Sequence, residues 1–230
     1  MDHPPLEIIF ADPHLLVINK PAGLLSIPDG YDPTLPHARQ LLEPLFGRLW
    51  TVHRLDRDTS GLLVLARSSA SHRALNETFE HHQVQKIYHA IVRGIPPWSE
   101  HLIDLPLKVD GDRHHRTIVD PVKGKPAQTN VRTMQSSIGH ALIEARPSTG
   151  YTHQIRAHLF AIGFPILADP LYFIHSSPPS VIIPLNPPIL RLALHAFSIA
   201  FNHPITGERM NLVTPYPLDF QSALEKLSLA

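Results

Sequence analysis

Five consecutive apolar residues, Leu62-Leu63-Val64-Leu65-Ala66, constrain this chain more than any other stretch, because a run without polar alternation suits a strand covered on both faces. Directly before it stand His53-Arg54-Leu55-Asp56-Arg57-Asp58-Thr59-Ser60-Gly61, thick with charge and turn formers. A charged loop that feeds a doubly covered strand sits at the edge of the core, so its carboxylates are held in place rather than loose in solvent.

The composition narrows what such a loop can do. With 230 residues the chain can bury a sizeable core as one large domain or two small ones. Cysteine is absent, which excludes a disulfide framework, a thiolate metal site and a thiol nucleophile, and suits a cytoplasmic protein. The opening residues MDHPPLEIIFADP lack the pattern of a signal peptide, and no apolar run is long enough to span a membrane. Lys plus Arg equal Asp plus Glu at 20 each, so any phosphate-binding surface has to come from local clustering, for which Arg54, Arg57, Arg67, Lys86, Arg93, Arg113, Arg116, Lys123 and Lys125 are the candidates. The 17 histidines show no HExxH spacing and no cysteine neighbours, so they read as core or solvated side chains and no metal is expected.

In chain order, Glu7 to Phe10 and Leu15 to Asn19 read as a hairpin, and Lys20-Pro21-Ala22-Gly23-Leu24 as a turn that presents a lysine. Helical spacing predicts amphipathic helices over 35–49, with Gly47 as its stop, and over 69–82. The alternation from Gln85 to Val92 puts Lys86 and Tyr88 on one face of a strand. Residues 95–128 read as loops with one strand near Leu105 to Val109; a second hairpin turns at Gly139; and Ile155, Leu159 and Ile162 mark a helix with an apolar stripe and Arg156 beside it. A proline-rich loop from Ser177 to Pro188, strands over 192–201 and 210–213, and a helix over 218–229 complete the chain. The 24 prolines punctuate loops and mark no domain boundary.

The nonapeptide resembles the catalytic signature of the RluA family of RNA pseudouridine synthases. The likeness runs on through Lys20-Pro21-Ala22-Gly23, Lys86-Ile87-Tyr88, Asp104-Leu105-Pro106-Leu107, Gly124-Lys125-Pro126, Thr149-Gly150, His153-Gln154-Ile155-Arg156, Gly163-Phe164-Pro165-Ile166 with Asp169 and Tyr172, and Leu194-His195-Ala196. It departs at Tyr151, where the family usually has Arg, and at Ala168, where it usually has Gly. The resemblance implies an α+β fold over 1–230: a single catalytic domain with a central, largely antiparallel mixed sheet flanked by helices, an active-site cleft across it, and no separate N-terminal S4 domain. It implies a cofactor-free isomerase acting on ribosomal RNA or on the tRNA anticodon stem-loop, expected as a monomer without membrane or metal.

Within that resemblance Asp56 is the implied nucleophile, since a carboxylate can attack uracil C6 or ribose C1′ and split the isomerisation into easier steps. Tyr88 offers an aromatic face and a phenol to take the C5 proton, and Arg156 a bidentate charge to keep Asp56 ionised. Arg54 would fill the gap left by the extruded uridine. Lys20 and Lys86 would contact phosphates or support the loop bearing Asp56, and Thr59, Gln154 and Ile155 complete the expected substrate contacts. Two readings from other classes compete. The chain could be an RNA-binding module without catalysis, or a nucleoside hydrolase in which Asp56 and Asp58 activate water.

Overall fold

A computed structural model describes residues 6–173 and 187–230; the proline-rich stretch from Ser177 lies outside them except for its last two residues. The chain divides into two compact units, Met1–Lys86 with His195–Pro215 and Ile87–Leu194 with Tyr216–Ala230.

The first unit begins with strands β1 (Glu7–Ala11) and β2 (Leu15–Lys20), the expected antiparallel hairpin with a bulge between Ile8 and Phe10. Helix α1 (Ala38–Phe46) follows; the His37 ring caps it by accepting from the Gln40 amide, and Gly47 stops it at φ 73°. Next come the short β3 (Trp50–Thr51) and β4 (Ser60–Ala66), whose seven residues are all buried, as the apolar run predicts. Helix α2 (Ser69–Glu80) starts at Ser68, whose hydroxyl accepts from the Ser71 amide.

Strand β5 (Gln85–Arg93) carries the chain into the second unit, where β6 (Glu100–Asp104), β7 (Leu107–Lys108), β8 (Ile118–Val119), β9 (Gln128–Ser137), β10 (His140–Pro147) and helix α3 (Gln154–Ala161) follow. Strand β11 (Leu194–Asn202) leads back to the first unit, and β12 (Arg209–Val213) pairs with it antiparallel. Helix α4 (Leu218–Lys226) belongs to the second unit.

In the first unit β4 is the hub. β2 lies antiparallel along one edge, from Gly61 to Ala66. The other edge is shared: β3 pairs with Leu65 and Ala66, while β11 runs parallel beside Ser60 and Gly61. Gly61 sits at φ 113°, and a Cβ there would lie 2.3 Å from the Ala196 carbonyl oxygen, so only glycine lets β11 approach. The core under this sheet joins Leu15, Val17, Leu62, Val64, Leu75 and Phe201.

The second unit is an antiparallel sheet ordered β5-β10-β9-β6, with β7 and β8 paired beside it as a small separate sheet. Its core gathers Ile91, Val131, Ile143, Leu159, Leu192 and Phe220. The mixed, mostly antiparallel sheet structure with helices is the α+β class expected. Two local expectations need correction. Residues 95–128 hold three strands, not one; β6 escapes a sequence pattern because it is short, exposed except at Ile103, and shows no apolar alternation. Helix α3 is not amphipathic: Gln154, Ile155, Arg156, Ala157, His158 and Leu159 are all buried, so polar side chains are enclosed along with the apolar stripe.

Candidate active site

Asp56 opens a tight turn, closed by the Thr59 amide donating to its carbonyl at 3.1 Å. Its flanks are held by side chains distant in sequence. Lys20, fully buried, gives its ammonium to the carbonyls of Pro21, Leu24 and Arg57 at 2.8–3.1 Å. Gly23, at φ 86°, donates its amide to the Arg57 carbonyl at 2.8 Å, and Arg57 Nε returns a bond to the Gly23 carbonyl. Ser26 Oγ accepts from the Leu55 amide at 3.0 Å and donates to the Leu55 carbonyl at 2.9 Å. The turn of residues 20–26 is thus bound to both sides of Asp56.

His53 completes this arrangement in a place where backbone pairing fails. On the shared edge of β4, between the stretches taken by β3 and β11, the Val64 amide has no strand opposite it and donates instead to His53 Nε2 at 2.9 Å. The ring stacks on Phe79 at 4.8 Å. An accepting Nε2 puts the proton on Nδ1, and burial, with the Lys86 ammonium nearby, pushes the pKa down to about 3, so the imidazole is neutral. Burial likewise lowers the Lys86 pKa. Ser60 and His195, both fully buried, meet at 2.9 Å across the β4–β11 pair.

In the second unit Tyr88 lies on β5 opposite Ala145, half-buried against the core. Arg156 is buried on α3, and its Nε and Nη2 form a bidentate pair with Asp169 at 2.8 Å each, leaving the Nη1 side outside that pair. Its guanidinium also lies over the Tyr172 ring, 5.1 Å from the centroid. One residue of the turn before Asp169, Ala168, has φ 56°, the left-handed region where the resembling family has glycine. Tyr151, the other departure, packs with Leu107, Ala157 and Tyr172.

Several of the expected substrate contacts are buried or have their polar groups engaged within the fold. Lys20 is not presented by its turn; it supports the loop bearing Asp56, because its ammonium already serves three carbonyls. Gln154 is 4% exposed and its amide is fully used, accepting from Thr149 Oγ1 and the Tyr151 amide and donating to the Gln128 carbonyl and Thr129 Oγ1. Ile155 belongs to the apolar core, and Thr59 is buried within the turn. Arg54 is exposed and Lys86 half-buried. Among the other expected phosphate contacts, Arg67 is engaged with the Asp12 and Phe46 carbonyls and Arg116 with Asp112, whereas Arg57, Arg93, Arg113, Lys123 and Lys125 are exposed. Ser26, His53 and Asp169 were not read from the sequence as site residues. For Asp169 the only sequence signal was its place in the resemblance, and for Ser26 there was none.

The family model described as RNA pseudouridylate synthase matches residues 14–161, a span that includes Lys20, the nonapeptide, Tyr88 and Arg156. The chain belongs to this family. As a pseudouridine synthase it is an isomerase that converts uridine in RNA to pseudouridine. It is 38% identical to ribosomal large subunit pseudouridine synthase D of Zymomonas mobilis, over 98% of this chain and 74% of that one. It is 36% identical to the dual-specificity RNA pseudouridine synthase RluA of Escherichia coli, over 92% and 94%. Among solved structures, human RNA pseudouridylate synthase domain containing 4 is similar with a TM-score of 0.78 at 28% identity, covering 96% of this chain and 93% of that one. No helix among the described residues is long and apolar enough to cross a membrane.

Proposed function

We propose that Asp56 is the nucleophile of this synthase and that its RNA substrate is large-subunit ribosomal RNA, the tRNA anticodon stem-loop or both. The observation that carries the assignment is the double clasp on the turn at Asp56: Lys20 and Gly23 on the Arg57 side, Ser26 on the Leu55 side. Such support keeps a carboxylate at one position through a multistep reaction, which is where much of the rate gain of a covalent mechanism arises. In that reaction the carboxylate bonds to C6 or C1′, the N1–C1′ bond breaks, the turned uracil rejoins C1′ through C5, and the bond to the carboxylate breaks to return it free. The C5 proton then leaves and N1 takes one up.

Tyr88 supplies the phenol for the C5 proton and an aromatic face for the base. Arg156, fixed by Asp169, has the permanent charge suited to keeping a carboxylate ionised. Arg54, exposed beside Asp56, is suited to the space an extruded base leaves. The name of the Zymomonas relative, a ribosomal large subunit synthase, supports ribosomal RNA, and that of the Escherichia relative, a dual-specificity synthase, is compatible with a second RNA. We assign the whole of 1–230 to one catalytic domain that works in the cytoplasm as a monomer, without metal or cofactor.

Asp56→Asn should abolish tritium release from RNA labelled at uridine C5 while leaving the melting temperature and RNA affinity close to wild type, since the amide is isosteric but a poor nucleophile. Residual activity within tenfold of wild type would assign the nucleophile elsewhere. Free uracil in solution would favour the hydrolase. Mapping pseudouridines in RNA from cells with and without the gene would identify the target.

A further inference from the structure

Residues 27–36 leave the body of the first unit and return to it at nearly the same place. Leu25 bridges His37, and the Ala38 amide donates to the Leu25 carbonyl at 2.8 Å, so the stem of the excursion is closed. That stem is also the segment that grips the catalytic loop, since Ser26 bonds both backbone groups of Leu55. Whatever the excursion displays is therefore tied to the position of Asp56.

The excursion is ordered from within. Asp29 Oδ1 accepts from the amides of Tyr31 and Asp32 at 2.8 and 3.0 Å, and Asp32 Oδ1 from the amide and hydroxyl of Thr34. The amides of Tyr31 and Asp32, with the Arg57 charge as a lesser cause, hold the Asp29 carboxyl below its usual pKa. Neither acid is needed to project toward solvent.

Tyr31 projects at the tip. It is 96% exposed, and the only other Phe, Tyr or Trp that is exposed among the described residues, Phe173, is at 45%. Folding makes no use of this ring, yet the backbone beneath it is fixed at both ends. RNA with a splayed uridine has neighbouring bases freed from stacking, and an aromatic side chain is the group that takes up an unstacked base face.

We propose that Tyr31 is a stacking platform for an unpaired base next to the target uridine, a substrate subsite outside the catalytic motif. This rests on the reading of the chain as a synthase acting on splayed-out uridines. Stacking requires a π-face and no charge. Its contribution should therefore persist as salt rises, unlike that of an arginine on phosphate.

The test uses tritium release from C5-labelled total RNA of cells lacking the gene, with wild type, Tyr31→Ala, Tyr31→Phe and Arg54→Ala. Tyr31→Ala should raise KM about 5- to 150-fold with kcat within about twofold, since base–aromatic stacking is worth about 1–3 kcal/mol per base. Tyr31→Phe should match wild type. The Tyr31→Ala ratio should hold as salt increases, while the Arg54→Ala ratio shrinks. A KM for Tyr31→Ala within twofold of wild type overturns the subsite, and an equal loss in Tyr31→Phe overturns stacking in favour of the hydroxyl. No release by wild type would overturn the synthase reading instead.

Discussion

In the first unit the side chains that fix the loop at Asp56 bond to backbone: Lys20 to three carbonyls, Ser26 to both groups of Leu55, His53 to the Val64 amide. In the second unit side chain more often meets side chain: Arg156 with Asp169, His158 with Thr129, His89 with Tyr216. The backbone clasp shapes a loop, and no single acid–base pair decides whether it forms. The paired arrangement aims individual charges and rings, and it fails when one partner is lost, because the survivor is left buried.

The largest stability effect should come from breaking a pair. Asp169→Asn retains an acceptor for the Leu171 and Tyr172 amides but removes the charge opposite Arg156, at a cost of about 3–5 kcal/mol. Urea unfolding would measure it, and a loss under about 1 kcal/mol would mean that the pair does not hold α3. Lys20→Met tests the other half of the contrast. It retains the buried stem and drops the ammonium, so three carbonyls lose a donor while a buried charge disappears. The two terms partly offset, and the expected cost is about 1–3 kcal/mol. Because the loop at Asp56 loosens, tritium release should fall by more than the small unfolded fraction explains. An equal fall in both would make Lys20 a matter of stability alone.

Both units share one pH response, which sharpens the contrast by showing what does not differ. His53 is pushed down to about 3 and His89 to about 4, the latter by burial and Arg132 against the opposing pull of Glu144. Each therefore binds its proton more readily when unfolded, near the ordinary histidine value of about 6.5. Their contribution is complete above pH ~6.5 and is lost as pH falls toward their folded values, with a slope of up to about 1.4 kcal/mol per pH unit for each. Unfolding titrations between pH 7 and 4 should show this slope, and His53→Gln, which has an acceptor for the Val64 amide but no titration, should reduce it. An unchanged slope would mean that folding does not lower the His53 pKa.

The smallest effect is a gain. Ala168 at φ 56° carries a Cβ in the left-handed region, so Ala168→Gly should stabilise by about 0.5–1 kcal/mol, after the added freedom of glycine in the unfolded chain is deducted. Calorimetry would detect it as a rise in Tm, and a fall would show that the turn before Asp169 holds its shape without strain.

The sequence by itself determined the doubly covered strand β4, the two hairpins, the helix ends at Gly47 and near Glu80, and the family, because apolar runs, turn formers and motif order are local properties of a chain. It also singled out Asp56, Tyr88 and Arg156. It left Lys20 open between phosphate contact and support of the Asp56 loop, and it could not show that the side chains of Gln154 and Ile155 are enclosed, since a residue type shows its chemistry but not whether that chemistry is already used by a neighbour. For the same reason Ser26, 29 positions from Leu55, carried no signal, and His53, although it opens the nonapeptide, gave no sign that it serves the Val64 amide 11 positions on. Only the tertiary structure decided these roles. A buried donor or acceptor must find a partner wherever the folded chain brings one, and that place is set by how the strands and turns pack, not by distance along the sequence.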